Sequence, residues 1–184
     1  MRQYVIDDAP WAKFLFYNPK SAWIWFILRF GVGWEWLYAG WEKIHSSVWV
    51  GTNAGSALSG FINGALLKTS GANPDVQGWY ASFLQNVVLP HANVWSHVVV
   101  YGELFVGIAL FLGIFTGIAA SFGLFMNLNY LLAGTISINP ILFTISIGII
   151  LAWRVAGYIG VDGYLLPLLG TPWEPKVEEY RKAG

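Results

Sequence analysis

The sequence predicts an all-α membrane protein: a four-transmembrane-helix bundle with short amphipathic helices in a long external loop. Three observations carry that prediction. The 184 residues are 56% hydrophobic and only 11% charged, which is apolar and charge-poor for a soluble domain. The apolar residues do not spread evenly but collect into four runs, over residues 22–44, 95–115, 118–134 and 140–160. Each run is close to the ~20 residues with which a helix rising ~1.5 Å per residue crosses ~30 Å of hydrocarbon.

One membrane domain is expected over residues 1–184, with an N-terminal segment 1–21, an external loop 45–94 and a tail 161–184. Four spans put both termini on one side. The N-terminal segment carries Arg2, Lys13 and Lys20, and the tail carries Lys176, Arg181 and Lys182; the other side has Lys43 and Lys68. The positive-inside rule therefore predicts cytoplasmic termini in the cell (plasma) membrane. Asp7, Asp8 and Pro10 interrupt the start of the chain, so no cleavable signal peptide is expected and the first span acts as the insertion signal. Net charge is zero, and no nucleic-acid partner is expected.

The external loop is too long to be plain linker. Ala57, Leu58, Phe61, Ile62, Ala65 and Leu66 recur at helical spacing, as do Trp79, Tyr80, Phe83, Leu84, Val87 and Val88. Two amphipathic helices follow, separated at Gly71, Asn73 and Pro74 and lying over the bundle mouth. Trp11–Tyr17 reads as a similar piece on the inside, ended by Asn18-Pro19.

Tryptophans frame the spans. Trp11, Trp23, Trp25, Trp153 and Trp173 fall near the inner boundary, and Trp41, Trp49, Trp79 and Trp95 near the outer one, as an aromatic belt would. Trp34 and Trp36 fall mid-span, as packing or lipid-facing residues or beside a flat ligand ring. Gly113/Gly117, Ala119/Gly123 and Ala156/Gly160 are small-xxx-small pairs, which let helix backbones approach in lipid. Ile114-Phe115-Thr116 leaves almost no loop, so the second and third spans form a tight hairpin.

Arg29, Glu35, Glu103 and Arg154 lie inside the apolar runs. A charge in hydrocarbon is costly, so such residues face the bundle interior and mark function. Arg29, Gly33, Trp36, Gly40 and Lys43 form one stripe of the first helix, with Glu35 about 120° round from Arg29. Pairing of Arg29 with Glu103 is expected, leaving Arg154 for Glu35 or Asn127; the reversed pairing stays open, as does a role as interhelical ties. Asn127 and Asn129 read most simply as helix–helix hydrogen bonds. His45, His91 and His97 fall at the outer face as solvated or capping residues, so no metal site is expected. With no histidine deep in a span and no cysteine anywhere, neither haem nor an Fe–S cluster is expected in this chain.

Three segments carry a resemblance. The stretch from Arg29 to Lys43, with Gly31, Gly33 and Gly40, resembles the first helix of DoxX/DoxD membrane proteins. Gly102-Glu103 through Gly107, followed by Leu112-Gly113 and Thr116, resembles their second helix. Ala152 to Pro167, with Arg154, Gly157, Gly160 and Asp162, is similar to the C-terminal signature of the DoxD type, the larger subunit of thiosulfate:quinone oxidoreductase. One departure is Gly163, where a basic residue is expected after the aspartate.

The resemblance implies a membrane subunit linked to quinone as substrate, passing electrons from thiosulfate or another small reduced sulfur compound. It implies a second subunit or larger complex as partner. On that reading Glu103 and Glu35 relay protons, and Arg29, Lys43 and Arg154 bind the small anionic substrate or a quinone oxygen. The alternative is a non-catalytic accessory subunit of a respiratory or photosynthetic membrane complex. A transporter is disfavoured, because no span is discontinuous.

Overall fold

The computed structural model describes residues 8–170. Among these the chain is helical and contains no strand. The tail charges Lys176, Arg181 and Lys182, together with Arg2 and Trp173, lie outside the described residues.

Helix α1 (Pro10–Tyr17) starts on a proline, whose missing N–H no helix start would use. It stops at Asn18, which Pro19 holds extended. Helix α2 (Ala22–Ile44) buries Arg29, Gly33, Trp36 and Gly40, the stripe that ends at Lys43. Trp25 leaves the expected belt: it is 5% exposed. Its indole N–H donates to Leu15 O at 2.7 Å, which ties α1 to α2.

Helices α3 (Ser56–Leu66) and α4 (Gly78–Phe83) fall where the loop periodicity puts them. They close a small apolar core of their own around Leu58, Ile62, Val76, Tyr80 and Leu84. Two polar ties fasten this cap to the third long helix and the turn after it. Tyr80 Oη donates to the backbone and side-chain oxygens of Asn129 at 3.0 and 3.1 Å, and Lys68 Nζ to Gly134 O at 2.7 Å. Beyond α4 the chain widens into one π turn, Leu84–Val88. A wide turn makes room for the Pro90 ring, which a regular helix would drive into the carbonyl four residues earlier.

Helix α5 (Ala92–Leu112) follows, then α6 (Thr116–Leu132) and α7 (Asn139–Leu151). The four long helices contact one another in the closed order α2, α5, α6, α7. Length and composition single out one of the four expected spans: Gly78–Leu112 is the continuous helical stretch, among the described residues, long and apolar enough to cross a membrane. Helix α2 has 23 residues but carries Arg29, Glu35, Glu42 and Lys43, and α7 is apolar but has only 13.

Glycines set the register of α2 against α5. A Cβ on Gly33 would sit 2.8 Å from Phe111 N, one on Gly40 2.9 Å from Leu104 N, and one on Gly107 2.5 Å from Leu37 N. As α2 numbers rise, their α5 partners fall, so the helices run antiparallel with backbones in direct contact. The expected small-residue pairs serve other contacts: Gly117 faces Trp153, and Gly123 faces Trp36 and Val106.

The hairpin between α5 and α6 is as tight as Ile114-Phe115-Thr116 predicts. Gly113 takes φ +72° and closes α5 through Ala109 O. Phe115 has φ +44°, a strained value for a side-chain-bearing residue. Asp162 holds that strain in place: its two carboxylate oxygens accept the N–H groups of Phe115 and Thr116, each at 2.7 Å. An anion there also suits the N-terminus of α6.

The fourth apolar run corrects the expectation of one helix over 140–160. It breaks at Ala152, and two shorter helices, α8 (Trp153–Ala156) and α9 (Asp162–Leu168), follow. A broken helix exposes orphan carbonyls. The short α8 ends at Ala156, and Arg29 reaches across from α2 to the carbonyls of Ala156 and Ile159 there.

Candidate functional site

Four buried or part-buried side chains hold the polar chemistry of the bundle: Arg29, Lys43, Glu103 and Tyr130. The structure sorts them into two separate places.

At the end formed by the α5–α6 hairpin, Arg29 is fully buried. Its guanidinium donates to Leu110 O, to Phe111 O at 3.1 Å, to Ala156 O at 3.1 Å and to Ile159 O at 2.8 Å. Leu110 and Phe111 end α5; Ala156 ends α8. A cation thus caps the negative ends of two helices. The Asp162 carboxylate is near enough to interact electrostatically with Arg29. A Cβ on Gly163 would collide with the Tyr158 carbonyl, so this backbone admits no side chain where the resemblance led us to expect a basic residue.

Glu103 is elsewhere, which corrects the expected Arg29–Glu103 pairing. The register opposes Arg29 to Leu110, seven residues further along α5 and therefore about 10 Å away. Lys43 occupies the place instead. Its Nζ lies 2.8 Å from Glu103 Oε2 and 3.0 Å from Oε1. The Tyr130 hydroxyl donates to Oε1 at 2.6 Å. Glu103 is 1% exposed and the Lys43 side chain 21%. Burying a carboxylate is tolerable only when charge and hydrogen bonds are supplied together, and here two donors, Lys43 and Tyr130, place three hydrogen bonds on it. Lys43 also lies 5.4 Å from the Trp49 ring centre, and Trp36 stacks on Tyr130 at 6.3 Å.

Two cavities meet at this cluster. The first, of about 300 Å³, is lined by Lys43, Glu103, Tyr130, Trp36 and Asn139, with Glu35 among its walls. The second, of about 580 Å³, is an apolar groove between α5 and α6 under the α3–α4 cap. Leu58, Phe61, Val99 and Tyr130 line both. Phe61 meets the Tyr130 ring edge-on at 6.0 Å, so the two rings stand in the shared wall.

The remaining sequence candidates scatter. Glu35 is exposed and makes no ion pair or hydrogen bond with a described residue. Arg154 is exposed against its neighbour Trp153, at 5.0 Å, and meets neither Glu35 nor Asn127. The Asn127 amide is fully buried without a hydrogen-bond partner among the described residues, as are Ser146 Oγ and Trp36 Nε1. Asn129, by contrast, receives Tyr80 and donates to Phe125 O at 2.8 Å. His45 and His97 each bond a carbonyl one turn back on their own helix. Among the described residues no cluster of His, Cys, Asp or Glu could hold a metal ion.

Tyr130 is the residue that sequence reasoning missed. It follows Met126 and Asn127 at i+4 and i+3, so the polar face of α6 was visible. What pointed away from it was chemistry: a tyrosine in an apolar run is read as packing.

Residues 24–135 match the model of the DoxX family. The chain belongs to the DoxX family. The matched stretch contains Arg29, Lys43, Glu103 and Tyr130 and ends before the C-terminal segment Ala152–Pro167 that resembles the DoxD type. No curated protein and no solved structure matches the chain. As a DoxX-family membrane protein it meets lipid with its apolar exterior, where Trp23, Ile27, Trp34, Tyr38 and Trp41 of α2 are all more than half exposed.

Proposed function

We propose that this DoxX-family chain is a four-span bundle of the plasma membrane, with cytoplasmic termini, that reduces membrane quinone at the Lys43–Glu103–Tyr130 cluster. The electrons come from thiosulfate or a similar small reduced sulfur compound. The observation that carries the reading is that a cavity holding Lys43, Glu103 and Glu35 and an apolar groove share one phenol, Tyr130. A small anion suits the cavity, where Lys43 offers a cation; a quinone suits the groove. The balance is simple: two thiosulfate anions join through a new sulfur–sulfur bond and release two electrons, and quinone takes both with two protons to become quinol. Glu103 and Tyr130 share a 2.6 Å hydrogen bond along which such a proton can pass. Glu35, in the cavity wall, serves as the entry point for protons. Arg29 enters as a positioning residue, since it clamps the end of the helix that carries Glu103. Arg154 binds anions at the inner surface.

A second reading has one observation behind it. Glu35 is exposed near the middle of α2 with no partner among the described residues, and an unpaired carboxyl within a span is costly. A neighbouring subunit could supply its partner, with this chain as an accessory subunit.

Thiosulfate-dependent quinone reduction in membranes with and without the chain separates the two. Turnover that follows the chain and falls about a hundredfold in Glu103→Gln supports the first. Turnover unchanged by Glu103→Gln removes Glu103 from the chemistry. No turnover from a folded chain, with stoichiometric recovery of other subunits, selects the accessory reading.

A further inference from the structure

We infer that the groove between α5 and α6 is the seat of an isoprenoid chain, entered sideways from the bilayer, with the ring of that same molecule stopped at Tyr130. The inference rests on the quinone reading above and adds where the molecule lies and what selects it.

The groove has the polarity of a single-chain amphiphile. Its open rim is built from side chains on the lateral surface of the bundle: Val98, Tyr101 and Phe105 of α5, and Phe122 and Phe125 of α6, each at least half exposed. Its roof is the apolar underside of the cap, Ile62, Phe83 and Leu84. Inside the rim, where Tyr101 faces outward, the polar groups are those of Asn129, Tyr80 and Tyr130, with Tyr80 bonded to Asn129 and Tyr130 the next residue along α6. A hydrocarbon chain gains along the whole length, and a polar ring gains only at Tyr130, where the second cavity begins. At about 580 Å³ the groove is in the range of sites that enclose a medium-sized organic ligand. A bilayer phospholipid fits less well, because its charged headgroup would have to enter the apolar roof or leave its chain short of the deep end.

Gly102 is the selecting residue. It lines the groove in the middle of α5, and a Cβ there meets only the flexible end of Met126, at 3.3 Å from Sδ. The absent side chain is therefore not demanded by helix packing, unlike that of Gly107 on the same helix, which would strike the Leu37 backbone. Gly102→Leu fills the groove and leaves the Lys43–Glu103–Tyr130 cluster in place. Val98→Phe does the same from the exposed rim, where nothing in the core has to move.

The test is quenching of tryptophan fluorescence, with Trp95 in the groove and Trp36 beside Tyr130, on the full chain in nanodiscs. The probes are a decyl-tailed benzoquinone and the same ring without a tail. With each probe's concentration counted within the nanodisc lipid, the wild type should bind the tailed form about tenfold more tightly, because close packing of the tail in the groove, and not its transfer from water, then sets the difference. Gly102→Leu and Val98→Phe should each cut that advantage to below about threefold and leave tail-less binding unchanged. Equal binding of both probes by the wild type, or an advantage that survives both substitutions, overturns the groove while the quinone reading stands. Binding of neither probe overturns the quinone reading itself. Phospholipid that stays in the groove by native mass spectrometry, undisplaced by the tailed quinone, assigns the groove to a lipid chain and overturns this inference.

Discussion

Replacing Arg29 by methionine keeps the volume of the side chain and removes every donor. Four carbonyls lose their partner at once: Leu110, Phe111, Ala156 and Ile159. A hydrogen bond to a charged group contributes about 1.5–3 kcal/mol, so simple addition would give a loss that no small domain survives. The sum overstates the case, because methionine also escapes the cost of burying a guanidinium. Asp162 is not stranded either, since the N–H groups of Phe115 and Thr116 hold it. The net loss should be about 3 kcal/mol, as for one broken buried charge contact. For a chain of this length that lowers Tm by roughly 6–12 °C. The assay is thermal unfolding of the detergent-purified protein, followed by intrinsic fluorescence. Arg29→Lys should recover less than half of the loss, because an ammonium cannot reproduce the flat fork that spans two helix ends. A methionine variant within about 2 °C of the wild type would refute the argument, since the carbonyls would then have found other partners.

Two further perturbations test the packing. Gly107→Ala drives a methyl group to 2.5 Å from Leu37 N and should cost about 1–3 kcal/mol, measured as a lower Tm, whereas Gly60→Ala on the exposed face of α3 meets nothing within 4 Å and should be neutral or stabilising. Equal effects would mean that the α2–α5 contact is looser than described. Tyr80→Phe removes the tie from the cap to Asn129 and should cost about 1 kcal/mol, with faster amide exchange confined to α3, α4 and the π turn. Unchanged exchange there would leave the apolar contacts as the sole fastening of the cap.

Much of the fold was legible along the chain because its causes are local. Pro10 and Asn18-Pro19 bound α1, and helical spacing located α3 and α4 within a loop of fifty residues that could have been read as linker. The stripe Arg29, Gly33, Trp36, Gly40, Lys43 turned inward as its period requires. The tight turn at Gly113–Phe115 followed from the shortness of the connection between two apolar runs.

Partners were not legible, and the reason is register. The sequence by itself determined which residues are helical, which faces are apolar and which charges are stranded in them. Whether Glu103 meets Arg29 or Lys43 depends on how far α5 slides along α2, and one helical turn moves a residue about 5 Å. Gly33, Gly40 and Gly107 decide that slide, because the backbones come this close only where one helix lacks a side chain at the crossing. The break at Ala152 is of the same kind. Nothing in Ala152-Trp153-Arg154 forbids a helix, and the carbonyls of Ala156 and Ile159 beyond the break find Arg29, a residue more than a hundred positions earlier. Tyr130 acquired its place from the same slide, which carried a buried carboxylate to within reach of its hydroxyl. Only the tertiary structure could decide these pairings, since the free energy of a buried charge lies in the groups that surround it and those come from other helices.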